Sequence, residues 1–417
     1  MSHRTSIVLT SILKPVDDTR MFEKFGLSLG QTNKYDVNII GFATKNIKKV
    51  DNVHFYPLFH FKRTSPLRLL APWRIFFLLF KVKPSIVIFN TAEILYVILL
   101  YKLISGCKII YDIQENYFRN VYYNKNYIPL IRILLAYSIR FKEWSGRWLI
   151  DRIIFAEDGY RIEMPGWAKR AVVIKNTYRE LDPYELDSKE SDEQSLDDKR
   201  IGNNELDNKR LYNNGLDINE PTNKYISSER EVRRNNQLGT TFLFSGTISD
   251  NYGIFTAIDF INILHKHNPD NNLLIAGYCA NERLYKKLIK RVEGKPYIQI
   301  VGGDHLIPHQ DIIKYIREAD FGLICYNINP STENCFPTKV YEYMANRLPI
   351  IIQNYPPWSS FCVKHNAGTE LDFTRFDEKK LVNSLKEETF YGEGIPDEIY
   401  WRCDEEKLLK LMEDIQS

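Results

Sequence analysis

The stretch C-F-P-T-K-V-Y-E-Y-M-A-N-R-L-P-I-I-I-Q-N, residues 335–354, contains the pattern that decides the fold. Val340, Tyr343 and Met344 recur at the spacing of one helix face. Three isoleucines beginning at Ile350 then form a short, wholly apolar run, which is typical of a strand buried in a parallel sheet. The order of loop, helix and strand predicts one repeat of a parallel α/β sheet.

The loop before this helix carries groups that suit a phosphate. Pro337 lacks an amide hydrogen and is tolerated at a helix start. Thr338 and the free amides behind it are expected at the positive end of the helix, where Lys339 adds a full charge. Glu342, one turn later, can accept hydrogen bonds from the vicinal hydroxyls of a ribose. The pattern indicates a nucleotide or nucleotide-sugar site; the alternative is that Glu342 only complements the helix dipole.

This stretch resembles the nucleotide-sugar motif of retaining glycosyltransferases of family 4. The shared residues are Pro337, Thr338, Lys339, Glu342, Tyr343, Met344, Ala345, Pro349 and Ile350. The resemblance assigns ribose binding to Glu342 and diphosphate binding to Thr338 and Lys339. Two positions depart from the family pattern. Asn334 stands where many members have a second Glu, and Arg347 replaces a Gly. Asn334 is kept as a donor-binding candidate.

Charge is distributed unevenly along the 417 residues. Residues 1–175 hold 27 basic and 13 acidic side chains, whereas the remainder holds 29 basic and 40 acidic ones. A basic first half predicts that an anionic surface or substrate faces it. The six cysteines are scattered without metal-ligand spacing, so we expect no metal site and a reducing compartment. We expect neither a signal peptide nor a membrane-spanning helix.

Two segments of the first half combine basic residues with aromatic and aliphatic residues. Residues 59–83 contain six Lys or Arg, no acid, and interleaved Trp and Phe; residues 122–152 are a second zone, in which Arg132, Arg140, Lys142 and Arg147 stand beside many aliphatic residues. Such segments are typical of membrane interfaces and predict contact with an anionic membrane surface. The alternative is helices that pack on the sheet with basic outer edges. No nucleic-acid-binding module is recognisable, so we expect no nucleic-acid partner.

Two loops of the first half follow predicted strands. The loop that contains Asp18 is similar to the family's loop beside the acceptor pocket. Residues 111–117, Y-D-I-Q-E-N-Y, resemble the family's Tyr-Asp-x-His-Glu-x-Tyr segment, in which the His approaches the transferred sugar. Here that position is Gln114, which cannot titrate, so Glu115 becomes the better acid/base candidate. Asp18, Gln114 and Glu115 are therefore the catalytic candidates; ordinary capping or surface roles are the alternative for Asp18 and Glu115.

The second half begins after residues 181–237, a polar segment in which Leu-Asp recurs every ten residues and which we interpret as a disordered linker. A strand then leads into a turn with Ser245, Gly246 and Thr247. The family's corresponding motif, Gly-Arg-x-x-x-x-Lys-Gly, holds the donor diphosphate. In this chain Thr247 and Tyr252 occupy the two cationic positions, so the donor charge would rest on Lys339 and helix amides. His305 and His309 are expected to be surface loop residues.

Strands and helices alternate in both halves, which predicts an α/β protein with two doubly wound, Rossmann-like domains. The resemblance implies the GT-B architecture, in which two such domains face a cleft. We predict an acceptor-binding domain over residues 1–180 and a nucleotide-sugar-binding domain over residues 238–395. A C-terminal helix within residues 396–417 is expected to cross back to the first domain.

The resemblance implies transfer of a sugar from a UDP- or GDP-linked donor to a glycan or lipid-linked acceptor. It also implies retention of configuration and no metal or other cofactor. The basic, aromatic first half suits a lipid-linked acceptor, so we expect a cytoplasmic enzyme of surface-polysaccharide assembly, peripheral on the inner face of the membrane. Two alternatives stay open: a non-catalytic partner of the same fold, which fits the missing cations, and a nucleotide-sugar epimerase.

Overall fold

The computed structural model of the protein describes residues 4–44, 50–61, 65–123, 128–180 and 239–416. The predicted linker, residues 181–237, lies outside the described residues.

The described chain forms two compact units. The first unit extends to Arg179 and also includes Ile328–Thr338 and the C-terminal segment from Asp397 onward. The second unit comprises the described residues between Glu180 and Asn327 together with Lys339–Pro396. The segment Ile328–Thr338 thus lies in the first unit, whereas the sequence placed it inside the domain 238–395.

The first unit is built on seven parallel strands: β1 (Thr5–Pro15), β2 (Tyr35–Phe42), β3 (Val53–Phe59), β4 (Ile86–Phe89), β5 (Lys108–Ile113), β6 (Arg152–Phe155) and β7 (Ala171–Val173). Their order in the sheet is β3-β2-β1-β4-β5-β6-β7. In β1, Ile7 pairs with Val37 of β2 and with Ile86 of β4, so apolar residues lie next to each other across the central strands. The central strands of a parallel sheet are apolar because other elements cover both faces of the sheet.

Helices cover both faces of this sheet. They are Thr19–Gly26 (a π-helix), Leu27–Gln31, Pro66–Leu70 (a 3₁₀-helix), Ala71–Val82, Leu95–Ser105, Tyr117–Tyr122, Pro129–Gly146, Tyr160–Glu163, Pro165–Ala168, Asp397–Ile399 (3₁₀) and Trp401–Asp414. Successive side chains of a strand point to opposite faces. Val8 accordingly joins one core with Ile75 and Leu79, while Leu9 joins another with Phe25 and Trp401.

The C-terminal helix Trp401–Asp414 packs in the first unit. The Trp401 indole is buried, donates a hydrogen bond to Ser28 Oγ at 2.8 Å and lies 5.8 Å from the Phe25 ring. Thr177 Oγ1 donates to the buried Asp404 carboxylate at 2.9 Å. These contacts place the helix on the face of the sheet that carries Leu9.

The second unit is built on six parallel strands: β8 (Thr241–Thr247), β9 (Asn272–Tyr278), β10 (Ile298–Gly303), β11 (Phe321–Ile324), β12 (Ile350–Gln353) and β13 (Gly368–Leu371). Their order is β10-β9-β8-β11-β12-β13. The helices are Ile254–His267, Glu282–Val292, His309–Glu318, Lys339–Ala345, Pro356–Lys364 and Glu378–Glu387. Val340, Tyr343 and Met344, the predicted helix face, are fully buried. Two doubly wound parallel α/β units confirm the predicted fold class.

Two local features differ from the sequence expectations. β3 was not predicted, because Pro57 interrupts its alternation; it lies at the edge of the sheet, where a strand tolerates Pro. The helix after the motif loop begins at Lys339, so Pro337 precedes it instead of starting it. Among the described residues, no helix combines the length and apolar character needed to cross a bilayer.

Candidate functional site

In each sheet there is one point from which successive strands are added to opposite sides, and each of these points marks a candidate binding region. The point falls between β1 and β4 in the first sheet and between β8 and β11 in the second. Open α/β sheets bind ligands outside the carboxyl ends of the strands at such a point. Most of the residues predicted to act on donor or acceptor follow strands at these two edges.

Lys339 is the most unusual residue at the edge of the second sheet. It is 7 % exposed, and its Nζ has no hydrogen-bond partner among the described residues. The ammonium lies within a cage of three aromatic rings, 4.5 Å from the centroid of Phe244, 5.7 Å from Tyr252 and 5.6 Å from Tyr326. Ring faces attract a cation but leave its hydrogen-bond capacity unused. The amine is therefore able to bind an anion.

Burial determines the charge state of this amine. Desolvation lowers the pKa of Lys339 to about 8, and the nearby Glu342 carboxylate opposes that shift. Glu342 keeps 29 % of its side chain exposed, and its Oε1 lies 3.3 Å from Nε2 of His309. The sequence had treated His309 as a surface loop residue; it instead begins the helix His309–Glu318 and contacts the proposed ribose-binding carboxylate. Only the packing of two helices reveals this contact.

The sequence predicted a turn at residues 245–247, but these residues are the last three of β8 and still pair with β9. Together with the loop that follows, they are called the donor turn below, and they allow a ligand to approach closely. Gly246 has φ +84°, and a Cβ built there would lie 2.9 Å from Cε of Lys339. Ser245 is buried, and its hydroxyl hydrogen-bonds the Tyr343 hydroxyl at 2.9 Å. Ser245 thus ties the turn to the motif helix. Gly253, at φ +76°, precedes the helix Ile254–His267 and would meet the Cys325 carbonyl oxygen at 1.8 Å if it carried a Cβ.

The other predicted donor-binding residues belong either to the donor turn and the loop after it or to the segment that precedes Lys339. Thr247 is exposed, and Tyr252 stacks on Tyr326 with centroids 4.6 Å apart. Tyr252 therefore forms a wall of the Lys339 cage where the family has a cation. Pro337 is buried and Thr338 half-buried in the segment that directly precedes Lys339.

Asn334 lies with the first unit. Its Nδ2 donates to Glu163 Oε1 at 3.0 Å, and the neighbouring Glu333 accepts from Arg119 at 2.6 Å. Phe336 donates its backbone N–H to Glu157 at 2.7 Å. These bonds hold Ile328–Thr338 against the carboxyl edge of the first sheet, which explains why this segment leaves the second unit.

Asp18 and Gln114 belong to one hydrogen-bonded group at the carboxyl edge of the first sheet. Asp18 caps the helix Thr19–Gly26 by accepting from the amides of Arg20 and Met21. Arg20 is buried and makes a bidentate pair with Asp112, at 2.9 and 2.7 Å. Gln114 Nε2 donates to the same Asp112 carboxylate at 2.7 Å. The capping role that the sequence left open for Asp18 is thus observed.

Glu115, the acid/base candidate, is exposed and accepts from Asn120 Nδ2 at 2.9 Å. Two groups nearby escaped sequence reasoning. Asn90 and Thr91, directly after β4, are 3 % and 1 % exposed, and among the described residues their side chains have no hydrogen-bond partners. Buried amides and hydroxyls are rarely unsatisfied, so these groups mark a place where a hydroxylated ligand or water can bind.

Glu157, after β6, is a further group that no sequence pattern indicated. Burial raises the pKa of its carboxyl to about 8, Glu163 and Glu115 add to the rise, and the Phe336 amide opposes it. Within the described residues, no group of three His, Cys, Asp or Glu side chains is placed to hold a metal ion.

The pKa of Glu157 makes a testable prediction about stability. Since its folded-state pKa exceeds the ordinary 4.5, the folded protein binds more protons than the unfolded chain between pH 4.5 and 8, and stability falls as pH rises through that window. Glu157→Gln keeps an acceptor for the Phe336 amide, so we expect the free energy of unfolding in urea to rise by about 4 kcal/mol at pH 8. At pH 4.5 little change is expected. An equal gain at both pH values, or the same gain for the exposed Glu387→Gln, would contradict the assignment.

Known proteins resemble this chain in sequence and in fold. Residues 226–387 match the family model for glycosyl transferases group 1. A search of curated proteins found no match.

Three solved structures align over nearly the whole chain. Sucrose-phosphate synthase from Thermosynechococcus elongatus is 13% identical, with 99% of each chain covered and a TM-score of 0.64. A glycosyltransferase from Rickettsia africae is 11% identical, with 99% of each chain covered and a TM-score of 0.58. Anabaena HepE, solved with UDP-glucose, is 12% identical, covering 99% of this chain and 100% of that one, with a TM-score of 0.57. Residues 226–387 are therefore similar to the glycosyl transferases group 1 family, and the chain has the fold of GT-B glycosyltransferases.

Proposed function

We propose that the protein is a retaining, metal-independent glycosyltransferase that moves a sugar from a UDP- or GDP-linked donor to a glycan or lipid-linked acceptor. The observation that carries the proposal is the buried Lys339 ammonium, which has no hydrogen-bond partner in the described chain, beside the turn at Gly246. A buried charge without a partner is costly, and a ligand phosphate would supply the missing anion. Glu342 stands one turn along the same helix, where vicinal ribose hydroxyls can donate to it.

In this proposal each group of the second unit has a stated role. Lys339 and the amides at the start of the helix Ile254–His267 stabilise the charge that develops on the leaving diphosphate. Gly246 lets the backbone approach the phosphates, and Thr338 and Thr247 offer hydroxyls beside them. Ser245 acts through Tyr343 as a positioning residue. The donor phosphate would help to deprotonate the acceptor hydroxyl on the same face of the sugar, which is the basis of retention.

The acceptor side of the proposal rests on the carboxyl edge of the first sheet. Gln114, oriented by Asp112, is available to hydrogen-bond a sugar hydroxyl, and the exposed Glu115 is the candidate acid/base. Asn90 and Thr91, directly after β4, offer polar atoms that have no hydrogen-bond partner among the described residues. Asp18 fixes the neighbouring loop through its cap.

Two of the similar structures support a sugar nucleotide as donor: HepE was solved with UDP-glucose, and with UDP and glucose.

A membrane-bound acceptor is favoured by the surface of the first unit. Large apolar side chains are exposed on three of its helices, including Phe77 at 68 %, Leu103 at 67 % and Leu130 at 67 %. Trp73 and Trp144 lie on the same helices, beside basic residues. This combination suits the interface of an anionic membrane. We therefore place the enzyme in surface-polysaccharide assembly, peripheral on the cytoplasmic face of a membrane.

The proposal is tested with a panel of UDP- and GDP-linked sugars, first by thermal shift and then by donor hydrolysis and transfer. We expect one donor class to raise the melting temperature and to be turned over with the anomeric configuration retained, in the presence of EDTA. Turnover that requires a divalent metal, or an inverted product, would contradict the mechanism.

The same panel tests a second candidate, a non-catalytic partner of the same fold, which Thr247 and Tyr252 favour because they replace the family's cations. No binding of any donor would favour that partner. Release of a new sugar nucleotide without an acceptor would instead indicate an epimerase.

A further inference from the structure

A cavity of about 470 Å³ opens in the first unit between the helix Pro129–Gly146 and residues 163–167. Its wall from the helix is aromatic, with Tyr137, Phe141 and Trp144, and Met164 and Trp167 lie opposite. Its volume is in the range of small-molecule sites. Two guanidinium groups, those of Arg140 and Arg147, also line it.

Arg147 is the cavity's available cation. Its guanidinium carbon lies 4.6 Å from the centroid of Trp148 and 5.8 Å from that of Trp144. Its Nε is buried and, within the described chain, has no hydrogen-bond partner. A guanidinium that lies against ring faces can still donate through its edge, and that edge matches the oxygens of a phosphate.

Arg140 is held in place by other contacts. It donates to the buried Glu143 at 3.0 Å, and its guanidinium carbon lies 4.9 Å from the centroid of Phe118. The acid that lines the cavity, Glu163, is engaged by Arg119, by Asn116 at 2.6 Å and by Asn334 at 3.0 Å. With each of these acids occupied by its own partners, the cavity offers net positive charge through Arg147.

The outer surface of the same helix is apolar. Outside the cavity lining, Leu130 and Leu134 on the helix and Ile128 directly before it are each more than half exposed. An anionic group in the cavity would thus have a hydrocarbon-compatible surface beside it. A soluble phosphate or nucleotide would make no contact with that surface, whereas the hydrocarbon chains of a lipid would.

We propose that this cavity binds the exposed phosphate of a membrane lipid, with Arg147 as the main phosphate contact and the lipid chain along the helix Pro129–Gly146. This inference rests on the proposed function in one respect: the bound lipid would be the carrier of the acceptor. The cavity is lined by residues of the first unit and the donor turn belongs to the second, so lipid binding should need neither donor nor turnover.

The test uses the full chain and vesicles of phosphatidylcholine that contain phosphatidic acid, with binding measured by co-sedimentation. Comparison vesicles contain phosphatidylglycerol at a matched surface potential, since its phosphate is a less accessible diester. We expect about tenfold tighter binding to phosphatidic acid, in line with one charge-assisted bidentate contact. Equal binding to the two vesicles would reduce the surface to a general basic patch and overturn the proposal.

Two variants with matched controls locate the site. Arg147→Gln removes the guanidinium that lines the cavity, and we expect it to lose the tenfold preference. Arg132→Gln removes the same charge from the adjoining helix, outside the cavity lining, and should retain the preference. Gly166→Leu fills the cavity without removing charge, since a Cβ there meets nothing within 4 Å. Gly392→Leu, at an equally open position in the second unit, is its control.

Equal losses for Arg147→Gln and Arg132→Gln, or full binding by Gly166→Leu, would overturn the assignment. Thermal shift with the donor panel keeps this outcome distinct from failure of the proposed function. A protein that binds no donor but keeps the lipid preference retains the cavity site. One that transfers sugar to a soluble acceptor without the preference loses only the cavity site.

Discussion

Replacing Lys339 with Met is expected to abolish measurable binding of UDP- and GDP-linked sugars while making the protein more stable. The ammonium is buried in an aromatic cage and has no hydrogen-bond partner among the described residues, so its charge costs stability in the free protein. Met fills similar volume without that cost. Removing the cation would leave a bound diphosphate without its main counter-charge, and we expect a loss of at least about a hundredfold in affinity.

The pKa of Lys339 gives this prediction a pH dependence. Because the folded-state pKa is about 8 and the ordinary value is 10.5, the unfolded chain binds more protons than the folded protein between these values. The free energy of unfolding should therefore rise with pH across this window, by up to about 3 kcal/mol, and Lys339→Met should remove that rise. Donor affinity should fall by about tenfold per pH unit above pH 8, as the amine loses its proton.

Urea unfolding from pH 7 to 10 and calorimetric titration with the donor measure both effects. Lys287→Met is the control, because Lys287 also lies 4.5 Å from an aromatic centroid, that of Phe255, but is exposed. It should change neither stability nor donor affinity appreciably. A Lys339→Met protein that binds donor as wild type would show that the cage holds a structural lysine only.

Replacing Glu342 with Ala is expected to weaken donor binding by about a hundredfold, because two charge-assisted hydrogen bonds to the ribose would be lost. Glu342→Gln retains one acceptor oxygen and should lose about tenfold. The side chain is partly exposed and contacts His309, so little change in fold stability is expected from either substitution.

A ribose-specific readout separates this role from a structural one. The wild type should discriminate by about tenfold against a 2′-deoxy donor, and the Glu342→Ala protein should not discriminate at all. Asp311→Ala, an exposed acid in the first turn of the neighbouring helix, is the matched control. If Glu342→Ala retained the discrimination, the ribose assignment would be wrong.

Much of the second unit could be predicted because its decisive pattern is local. Helix periodicity links Lys339 to Glu342 within one turn, and the apolar run at Ile350 follows immediately. β3 escaped because an edge strand with a Pro carries neither a continuous apolar run nor clean alternation.

The linear sequence by itself determined the fold class and the identity of the charged groups beside the donor turn, since both depend on residues a few positions apart. Tertiary structure alone decided what those groups can do. Phe244, Tyr252 and Tyr326 come from separate segments to enclose Lys339, and burial among distant residues raises the pKa of Glu157. Desolvation and ring contacts depend on packing between elements far apart in the chain, and local spacing carries no record of them.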